Sequence, residues 1–311
     1  MEADMILFCE FNPTLRKEYR VVDFEKNKVN TFSENFEYPT GEILDSMLLV
    51  DKLSANSTLL TYLGGKTGEL FKNELNKRGI EPVIVHSKDE SMEEILIRSR
   101  SLKTTIRGEY PVLTNDEEET LFSKFNELLQ NANIVLIAAK GNPNIDSTLY
   151  KNFFNLCYKN GVRVLTAPNE IEDVIDVKPY LMVVDKEDLE NYTKFVIKTQ
   201  SQVVKASNII FEKGVGVLVV NSQTGVMVNT KGASYRIDFS DLKYSVSKFD
   251  KNKLNAGIAL GIERGYDFEM TLKLGIACAI IESVVKNREA EMADLKALMN
   301  DIHVYIIREE M

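Results

Sequence analysis

The sequence predicts an α/β protein built around a mostly parallel β-sheet that helices cover on both faces. Short apolar runs rich in β-branched residues recur along the chain, and a helical pattern of apolar residues separates most neighbouring runs. The runs are continuously apolar rather than alternating, which is typical of parallel strands buried on both faces. In chain order they span residues 6–9, 83–86, 134–139, 162–165, 181–184 and 217–220.

The segments between these runs carry helix start and stop signals. One helix is predicted from Thr67 to a stop at Gly79, and its last turn is basic, which suits the negative end of the helix dipole. Another is predicted from a cap at Thr114 to Leu129. Its acidic first turn could be mistaken for a metal cluster, but carboxylates there face the positive end of the helix, and we predict no metal site.

Two segments interrupt this alternation of strands and helices. Residues 16–38 and 91–107 alternate between apolar and polar side chains and place charges beside the apolar positions. This pattern predicts strands of a small, half-exposed sheet that would form a lid on the main domain. We therefore expect a single domain spanning residues 1–311, with the lid strands inserted at these two places.

Composition narrows the classes of function. The net charge of -9 lacks the surplus of Lys and Arg that nucleic acid or an anionic membrane surface selects, so neither is an expected partner. Three cysteines without CxxC spacing and only two histidines predict neither a disulfide framework nor a metal site. The acidic first residues and the lack of a long apolar run predict no signal peptide and no membrane span, so we expect a cytoplasmic protein.

Residues 12–15 read Asn-Pro-Thr-Leu, and residues 63–71 read Leu-Gly-Gly-Lys-Thr-Gly-Glu-Leu-Phe. Together with segments 178–181, 212–215, 256–265 and 272–278, and in this order, they resemble the PfkB (ribokinase-like) family of carbohydrate kinases. The resemblance is to its 1-phosphofructokinase and tagatose-6-phosphate kinase branch, which has Asn-Pro-Ala-Leu and Leu-Gly-Gly-Glu-Thr-Gly-Glu-Phe at the first two places. The resemblance implies a ribokinase-like three-layer α/β/α sandwich, with a small β-sheet lid that pairs with the lid of a second subunit in a homodimer.

The family's catalytic turn, Gly-Ala-Gly-Asp, corresponds to residues 249–252 here. In the family the aspartate takes the proton of the attacking sugar hydroxyl, and the glycines expose backbone amides to the transferred phosphoryl group. Phe249 and Lys251 replace the two glycines, and the base position is Asn252, whose amide has no useful basicity. Asp250 is the candidate substitute base, although the residues alone indicate that it caps the helix that follows.

The family's sugar-binding positions are also substituted. Asn12 is retained, but the aspartate that would hold sugar hydroxyls corresponds to Arg16. In the family's Gly-Gly-Lys-Gly-x-Asn motif, Gly41 remains, the lysine that would pair with a sugar phosphate becomes Glu42, and the asparagine becomes Asp45.

The family's phosphate-binding arginine corresponds to Met92, which Glu93 and Glu94 follow. Carboxylates repel a doubly negative phosphate, so the sequence predicts a sugar-phosphate pocket with inverted charge. An alternative is that these two glutamates, together with Glu42 and Asp45, receive a cationic ligand or a divalent metal.

The positions that would hold the nucleotide diverge in the same way. The asparagine of the family's Lys-Pro-Asn motif corresponds to Asp185, and the Ser-Leu-Gly-x-x-Gly turn corresponds to Asn221 through Gly225, without its first glycine. A Ser-Gly-Ser turn is matched by residues 138–140, and Phe249 and Lys251 belong to the same side of the site. The resemblance implies ATP and Mg²⁺ as cofactors, and the substitutions leave open that the protein binds neither.

Three functions remain open on the sequence. The first is a PfkB homologue with impaired or absent ATP-dependent phosphotransfer and a retained binding or regulatory role towards a sugar or sugar phosphate. The second is an active sugar-phosphate kinase that uses Asp250 as base and Lys248 or Lys251 in place of the amide donors. The third is a purely structural or interaction protein. The segment 247–253, which contains no glycine, favours the first.

Overall fold

The computed structural model describes residues 5–138, 142–285 and 290–309, which form a large sheet flanked by helices and a second, smaller sheet. The strands are β1 (Met5–Glu10), β2 (Thr14–Val21), β3 (Phe32–Thr40), β4 (Ser57–Leu63), β5 (Val83–His86), β6 (Met92–Arg98), β7 (Lys103–Arg107), β8 (Ala132–Ile137), β9 (Arg163–Thr166), β10 (Leu181–Asp185), β11 (Val217–Ser222), β12 (Gly225–Asn229), β13 (Ala233–Asp238) and β14 (Tyr305–Glu309). The helices are α1 (Leu44–Asp51), α2 (Gly65–Asn76), α3 (Asn115–Leu129), α4 (Ser147–Lys159), α5 (Lys186–Thr193), α6 (Gln200–Glu212), α7 (Lys251–Glu263), α8 (Phe268–Val284) and α9 (Met292–Asp301).

The large sheet has the strand order β14-β13-β12-β11-β10-β9-β8-β1-β4-β5. Every pairing from β11 to β5 is parallel, and β12, β13 and β14 add antiparallel strands at the other end. The prediction of a mostly parallel sheet is therefore confirmed. Each of the six apolar runs marks a parallel strand, with bounds that shift by up to two residues, as in β8, but the parallel strand β4 was not among the predicted runs.

Each face of the large sheet carries its own apolar core. On one face, side chains of β1, β4, β8 and β10 pack with α1, α2, α7, α8 and α9. On the other face, the alternate side chains of the same strands pack with α3, α4, α5 and α6. Because successive side chains of a strand point to opposite faces, a strand between two helical layers must be apolar at every position. The predicted three-layer α/β/α sandwich is thus confirmed.

The small sheet has the order β3-β2-β6-β7, and its strands fall in the two segments predicted to interrupt the main pattern. β2 begins at Thr14 and β3 ends at Thr40, so the first strand pair extends two residues beyond the expected bounds at each end.

The predicted caps also have clear outcomes. Thr114 caps α3 in a capping box with Glu117, as predicted, whereas α2 begins earlier than Thr67, at Gly65. The expectations for the first four residues and for residues 139 and 140 lie outside the described residues.

Two glycines let α7 and α8 cross closely, which fixes the start of α7. A Cβ on Gly257 would lie 2.8 Å from the Cα of Gly275, so no larger residue fits without moving a helix. At the start of α7, the Asp250 N–H donates to the Ala279 carbonyl of α8 at 2.9 Å. Residues 249–252, to which the resemblance assigns the catalytic turn, are therefore tied to α8 and the core.

Candidate functional site

The candidate site lies at the edge of the large sheet where the parallel strands β1 and β10 end, a common place for ligand sites in open α/β sheets. β1 ends at Glu10, β10 ends at Asp185, and α7 begins nearby at Lys251. The small sheet is attached to the same edge, because β2 starts shortly after β1 ends. The region between this edge and the small sheet is here called the cleft; in it Arg16 and Asp250 lie within electrostatic range of Asp45, and Arg107 lies within range of Glu42.

Asp250 caps helix α7, as the residues alone indicate. Its Oδ1 accepts hydrogen bonds from the backbone N–H groups of Asn252 at 3.1 Å and Lys253 at 3.0 Å. Amides at this position have no partner within the helix and attract anions. The chain's own carboxylate occupies them, so the start of α7 offers neither a free carboxylate base nor an open pair of amide donors. Asn252, at the family's base position, lies in this first turn.

Lys251 joins the start of α7 to the end of β10. Its Nζ is 2.8 Å from Oδ2 of Asp185 and 3.9 Å from Oδ2 of Asp188, while Asn221 donates from Nδ2 to Oδ1 of Asp185 at 2.8 Å. Burial alone would raise the pKa of Asp185, but the hydrogen bonds from Asn221 and Lys251 outweigh it and hold that pKa below its ordinary value. Three predicted nucleotide positions therefore contact one another: Lys251 forms an ion pair with Asp185, and Asn221 forms a hydrogen bond with the same carboxylate.

Lys248, the other lysine considered as a donor, is also engaged. Its Nζ lies 2.5 Å from Oε2 of Glu282 on α8. Lys253 contacts the other oxygen of the same carboxylate. Both ammonium groups are thus committed to α8, and neither is free to replace the amide donors that a glycine turn would supply.

Asp188 is part of this arrangement although sequence reasoning missed it. It lies in the first turn of α5, where its carboxylate accepts the N–H of Asp185 at 3.3 Å. An acidic residue in a first turn is ordinarily a cap, so nothing in its type singles it out. Its position three residues after Asp185, the end of β10, is the signal that could have identified it.

Of the remaining predicted nucleotide positions, one packs against the core and one lies in a turn beside a cavity. Phe249 packs against the core, with its ring centroid 6.1 Å from that of Phe239. Gly225 is required because a Cβ there would lie 2.2 Å from the Ile237 carbonyl oxygen of the neighbouring strand. The turn that ends at Gly225 lines a cavity of about 380 Å³ together with the start of α6 and Arg236.

On the sugar side of the cleft, the guanidinium group of Arg16 forms an ion pair with Glu94. Its Nε is 2.6 Å from Oε1 of Glu94, and Arg107 donates from Nε and Nη2 to Oε2 of Glu94 at 3.1 and 2.9 Å. Glu94 is only 3% exposed, so one buried carboxylate is shared by two guanidinium groups. Arg107 was not expected from the sequence, since it lies in a segment assigned only to the lid.

The predicted charge inversion of the sugar-phosphate pocket needs correction. Glu93 and Glu94 are neighbours on β6 and therefore point to opposite faces of the small sheet. Glu93 pairs with Lys17 at 2.6 Å, on the face away from Arg16, while Glu94 is neutralised by its two arginines. The cleft keeps only Glu42 and Asp45 as acidic replacements. Within the described residues, no three metal-binding side chains come together, so the four carboxylates do not form the alternative divalent-metal site.

Glu42 and Asp45 lie where solvent reaches their oxygens but protein displaces much of the surrounding water. Burial accordingly raises the pKa of both carboxyls, against the attraction of Arg107 for Glu42 and of Lys253 for Asp45. Asp45 also accepts a hydrogen bond from Oγ1 of Thr40 at 3.1 Å. This wall of the cleft disfavours an additional negative charge.

The other predicted sugar positions surround a residue that sequence reasoning missed, Glu10. The backbone N–H of Asn12 donates to Oε1 of Glu10 at 2.8 Å, and a Cβ on Gly41 would lie 2.2 Å from Oε2. Met92 is 2% exposed and offers a ligand neither charge nor a hydrogen bond. Glu10 itself is 1% exposed, and burial raises its pKa to about 7. Glu10 follows an apolar run, and an acidic residue at that place in a sequence is usually exposed. The sequence alone therefore gives no sign that Glu10 is buried.

In the described parts of the chain, no helix is both long and apolar enough to cross a membrane.

Comparison with known proteins places this geometry in context. The model of the pfkB family of carbohydrate kinases matches residues 16–241. The 1-phosphofructokinase of Borreliella burgdorferi is 21% identical over 309 residues, covering 96% of this chain and 98% of its own, and that of Bacillus subtilis is 22% identical over 88% and 90%. A tagatose-6-phosphate kinase of Staphylococcus epidermidis is 19% identical over 90% and 92%.

Solved structures share the fold over nearly the whole chain. Phosphofructokinase-2 of Escherichia coli in complex with fructose-6-phosphate has a TM-score of 0.81 at 15% identity, over 96% of this chain and 98% of its own. A possible 1-phosphofructokinase of Thermotoga maritima has a TM-score of 0.79 at 20% identity, over 98% and 100%. The fold expected from the motif order, a ribokinase-like sandwich with a small second sheet, is confirmed.

Proposed function

The chain belongs to the pfkB family of carbohydrate kinases, and from this premise we propose that it is a member whose ATP-dependent phosphotransfer is impaired or absent. Its cleft then serves binding or regulation. The ligand class that we propose is a sugar or sugar phosphate, because similar proteins include 1-phosphofructokinases and tagatose-6-phosphate kinases. Three free, buried cysteines support a reduced, cytoplasmic setting.

The occupied N-terminus of α7 is the observation that carries this proposal. Phosphoryl transfer needs a base for the attacking hydroxyl and donors for the charge that builds on the phosphoryl group. Asp250, the only carboxylate in residues 249–252, accepts hydrogen bonds from two backbone N–H groups at the start of α7. The Asn252 side chain cannot act as the base, because its amide does not take a proton. Loss of a general base costs about 10²–10⁴ in rate and loss of one oxyanion donor about 10²–10³, so both losses together leave little turnover.

Kinases of this family generally use ATP and Mg²⁺. The residues of this chain do not fit a magnesium-bound phosphate group in the arrangement observed, because the ammonium of Lys251 already neutralises Asp185 and lies close to Asp188. A divalent ion would have to displace that ammonium. These residues therefore support no phosphoryl-transfer step, and nucleotide binding would have to use other contacts.

The sugar side of the cleft supports binding without strong affinity for a phosphate. Arg16 and Arg107, on the small sheet, both pair with Glu94, and Lys253, whose charge acts on Asp45, contacts Glu282. Glu42 and Asp45 oppose a further negative charge on the facing wall. A neutral sugar, held by hydrogen bonds to these carboxylates and guanidinium groups, suits the cleft better than a sugar phosphate does.

We also propose a homodimer formed through the small sheet. The face opposite Arg16 carries Tyr19, Ile95, Ile97 and Ile106 in register, and the ring of Phe32 lies 5.1 Å from that of Tyr19. Ile106 is 55% exposed and Phe32 49%. Exposed apolar residues on one sheet face are a feature of interfaces, and a second copy of the sheet would cover them.

A thermal-shift series separates the three functions left open by the sequence. The protein is titrated with a neutral hexose, fructose 6-phosphate and MgATP, each alone. A sugar response without a MgATP response supports the proposal, since a ligand at about 100 times its Kd adds roughly 2.7 kcal/mol to stability. Strong shifts with MgATP would favour the active kinase, in which case D250N should abolish turnover. No shift with any ligand would favour a structural or interaction protein.

A further inference from the structure

A cavity of about 270 Å³ lies at the end of the large sheet opposite the cleft. It is lined by the second half of α4 and by the segments that lead into β9, β10 and β11, so it lies where these parallel strands begin. The cleft lies where the strands end, and the five residues of β10 span roughly 17 Å between the two places. This cavity, bordered by Tyr158, Arg163, Lys178 and Tyr180 and here called the rear pocket, is therefore separate from the cleft.

The charged lining of the rear pocket is cationic. Among the described residues, the charged side chains that line it are Arg163 and Lys178, and neither forms an ion pair with a described residue. The guanidinium carbon of Arg163 lies 5.4 Å from the ring centroid of Tyr180, and Nζ of Lys178 lies 5.7 Å from that of Tyr158. A tyrosine ring carries no net charge, so the N–H donors of both cations keep the capacity to bind an anion. This local charge is opposite to the net charge of the chain, -9.

Contacts within the protein fix the position of Lys178. Its backbone has the left-handed conformation, with φ 54°, which is uncommon for a residue other than glycine. Its aliphatic stem crosses Gly214 so closely that a Cβ there would lie 2.9 Å from Cδ of the lysine. Residues in such conformations are held by their surroundings and cluster at functional sites. The ammonium group is thus placed at the rear pocket before a ligand arrives.

The neighbouring helix end does not compete for these cations. The C-terminus of α4 borders the rear pocket, and unpaired carbonyls there would repel an anion. Two of these carbonyls are capped, because Gly161 donates its N–H to the Tyr158 carbonyl at 3.2 Å and Val162 to the Cys157 carbonyl at 3.0 Å. The side chain of Tyr158 is 63% exposed and that of Tyr180 is 39% exposed, so both rings offer surface to a ligand.

We propose that the rear pocket binds a small phosphomonoester, whose phosphate pairs with Arg163 and Lys178 and whose body packs on the rings of Tyr158 and Tyr180. A phosphomonoester carries a charge of about −1.5 to −2 at pH 7, which two cations match. A guanidinium group that stacks on a ring still presents its N–H edge, and that edge suits phosphate oxygens. The inference does not rest on the proposed function, because it involves no residue of the cleft.

Isothermal titration calorimetry with phenyl phosphate tests the proposal, because this probe joins a phosphate to a flat ring. Inorganic phosphate and phenol, titrated separately at constant ionic strength, report the two parts of the probe. We expect phenyl phosphate to bind more tightly than inorganic phosphate, and phenol to give no measurable binding. Arg163→Met and Lys178→Met should each weaken the binding of phenyl phosphate by about tenfold or more, since each removes a charged hydrogen bond.

Lys159→Met is the matched control. It removes a charge from the last turn of α4, but Lys159 does not line the rear pocket, so the affinity should stay within about twofold of the wild-type value. Wild-type protein that does not bind phenyl phosphate would overturn the proposal, as would phenol that binds equally well. Equal affinities of all three variants would place the phosphate elsewhere and would also contradict it.

NMR of the wild-type protein gives an answer even if a variant does not fold. The backbone amides of Gly161, Gly214 and Gly216 line the rear pocket, and we expect their resonances to shift during a titration with phenyl phosphate. Gly41 reports on the cleft and should not shift with them. Shifts at Gly41 without shifts at the three pocket glycines would assign the probe to the cleft and overturn the proposal.

Discussion

At the scale of single residues, several charged groups that border the cleft are paired within the chain. Lys251 pairs with Asp185, Asp250 with the amides of α7, and Glu94 with two arginines. Partners from the chain itself therefore offset these charges, whereas burial raises the pKa of Glu42 and Asp45.

Replacing Glu94 should reveal how much the shared carboxylate stabilises the fold. Glu94→Ala leaves Arg16 and Arg107 facing each other without a counter-ion, and we expect the free energy of unfolding to fall by about 1–3 kcal/mol. Glu93→Ala is the matched control, because its pair with Lys17 is more exposed and should cost about 1 kcal/mol or less. Urea denaturation of the two variants measures both values, and equal losses would contradict the assignment of faces.

Restoring the family's catalytic turn should not restore a kinase. In the quadruple variant F249G, D250A, K251G and N252D the amides and the base return, but Arg16, Glu42 and Met92 still differ at the sugar positions. We expect phosphotransfer to fructose 6-phosphate to remain at background in a coupled assay, with circular dichroism confirming that the variant is folded. Full activity from this change alone would show that the sugar side is intact.

The sequence allowed some of these residues to be predicted and not others. Asp250 was predictable as a cap, because capping depends on residue type and on the helix that follows. The pairing of Arg16 and Arg107 with Glu94 was not, since the three residues lie on three different strands and their pairing depends on sheet register. Glu10 and Asp188 were missed because a lone acidic residue at a strand end or in a first turn is usually solvated or a cap. Their roles depend on what the fold places beside them.

At the scale of elements, the crossing of α7 and α8 positions the site. Gly257→Ala introduces a Cβ that would lie 2.8 Å from Gly275, so one helix must move. We expect a loss of about 1–3 kcal/mol in the free energy of unfolding, as is typical of overpacking. Gly232→Ala is the control, because a Cβ there meets nothing within 4 Å and should change stability by about 0.5 kcal/mol or less. Thermal or urea unfolding of both variants checks this.

At the scale of the whole molecule, Glu10 should leave a signature in the pH dependence of stability. Its pKa is raised in the folded state, from 4.5 to about 7, so the stability it contributes is fully present below pH 4.5 and is lost as the pH rises through 7. The shift corresponds to a change on the order of 3 kcal/mol. Urea denaturation from pH 4.5 to 8.5 should show this loss for the wild-type protein relative to E10Q. A constant difference between the two proteins would exclude it.

The small sheet should decide the oligomeric state. Ile106→Glu places a charge on its apolar face, and we expect the homodimer to dissociate into monomers in analytical ultracentrifugation. Val112→Glu is the matched control, because Val112 is equally exposed, at 55%, but lies outside the small sheet. A wild-type protein that sediments as a monomer would contradict the proposed dimer.

A single-turnover experiment addresses phosphotransfer most directly. Enzyme in excess over γ-³²P-ATP, with Mg²⁺ and saturating fructose 1-phosphate, fructose 6-phosphate or tagatose 6-phosphate, reports transfer even when release of product is slow. With the amides of α7 capped by Asp250 and Lys251 bound to Asp185, we predict no labelled sugar bisphosphate above a protein-free blank. Rapid formation of labelled bisphosphate from any of the three sugars would contradict the account.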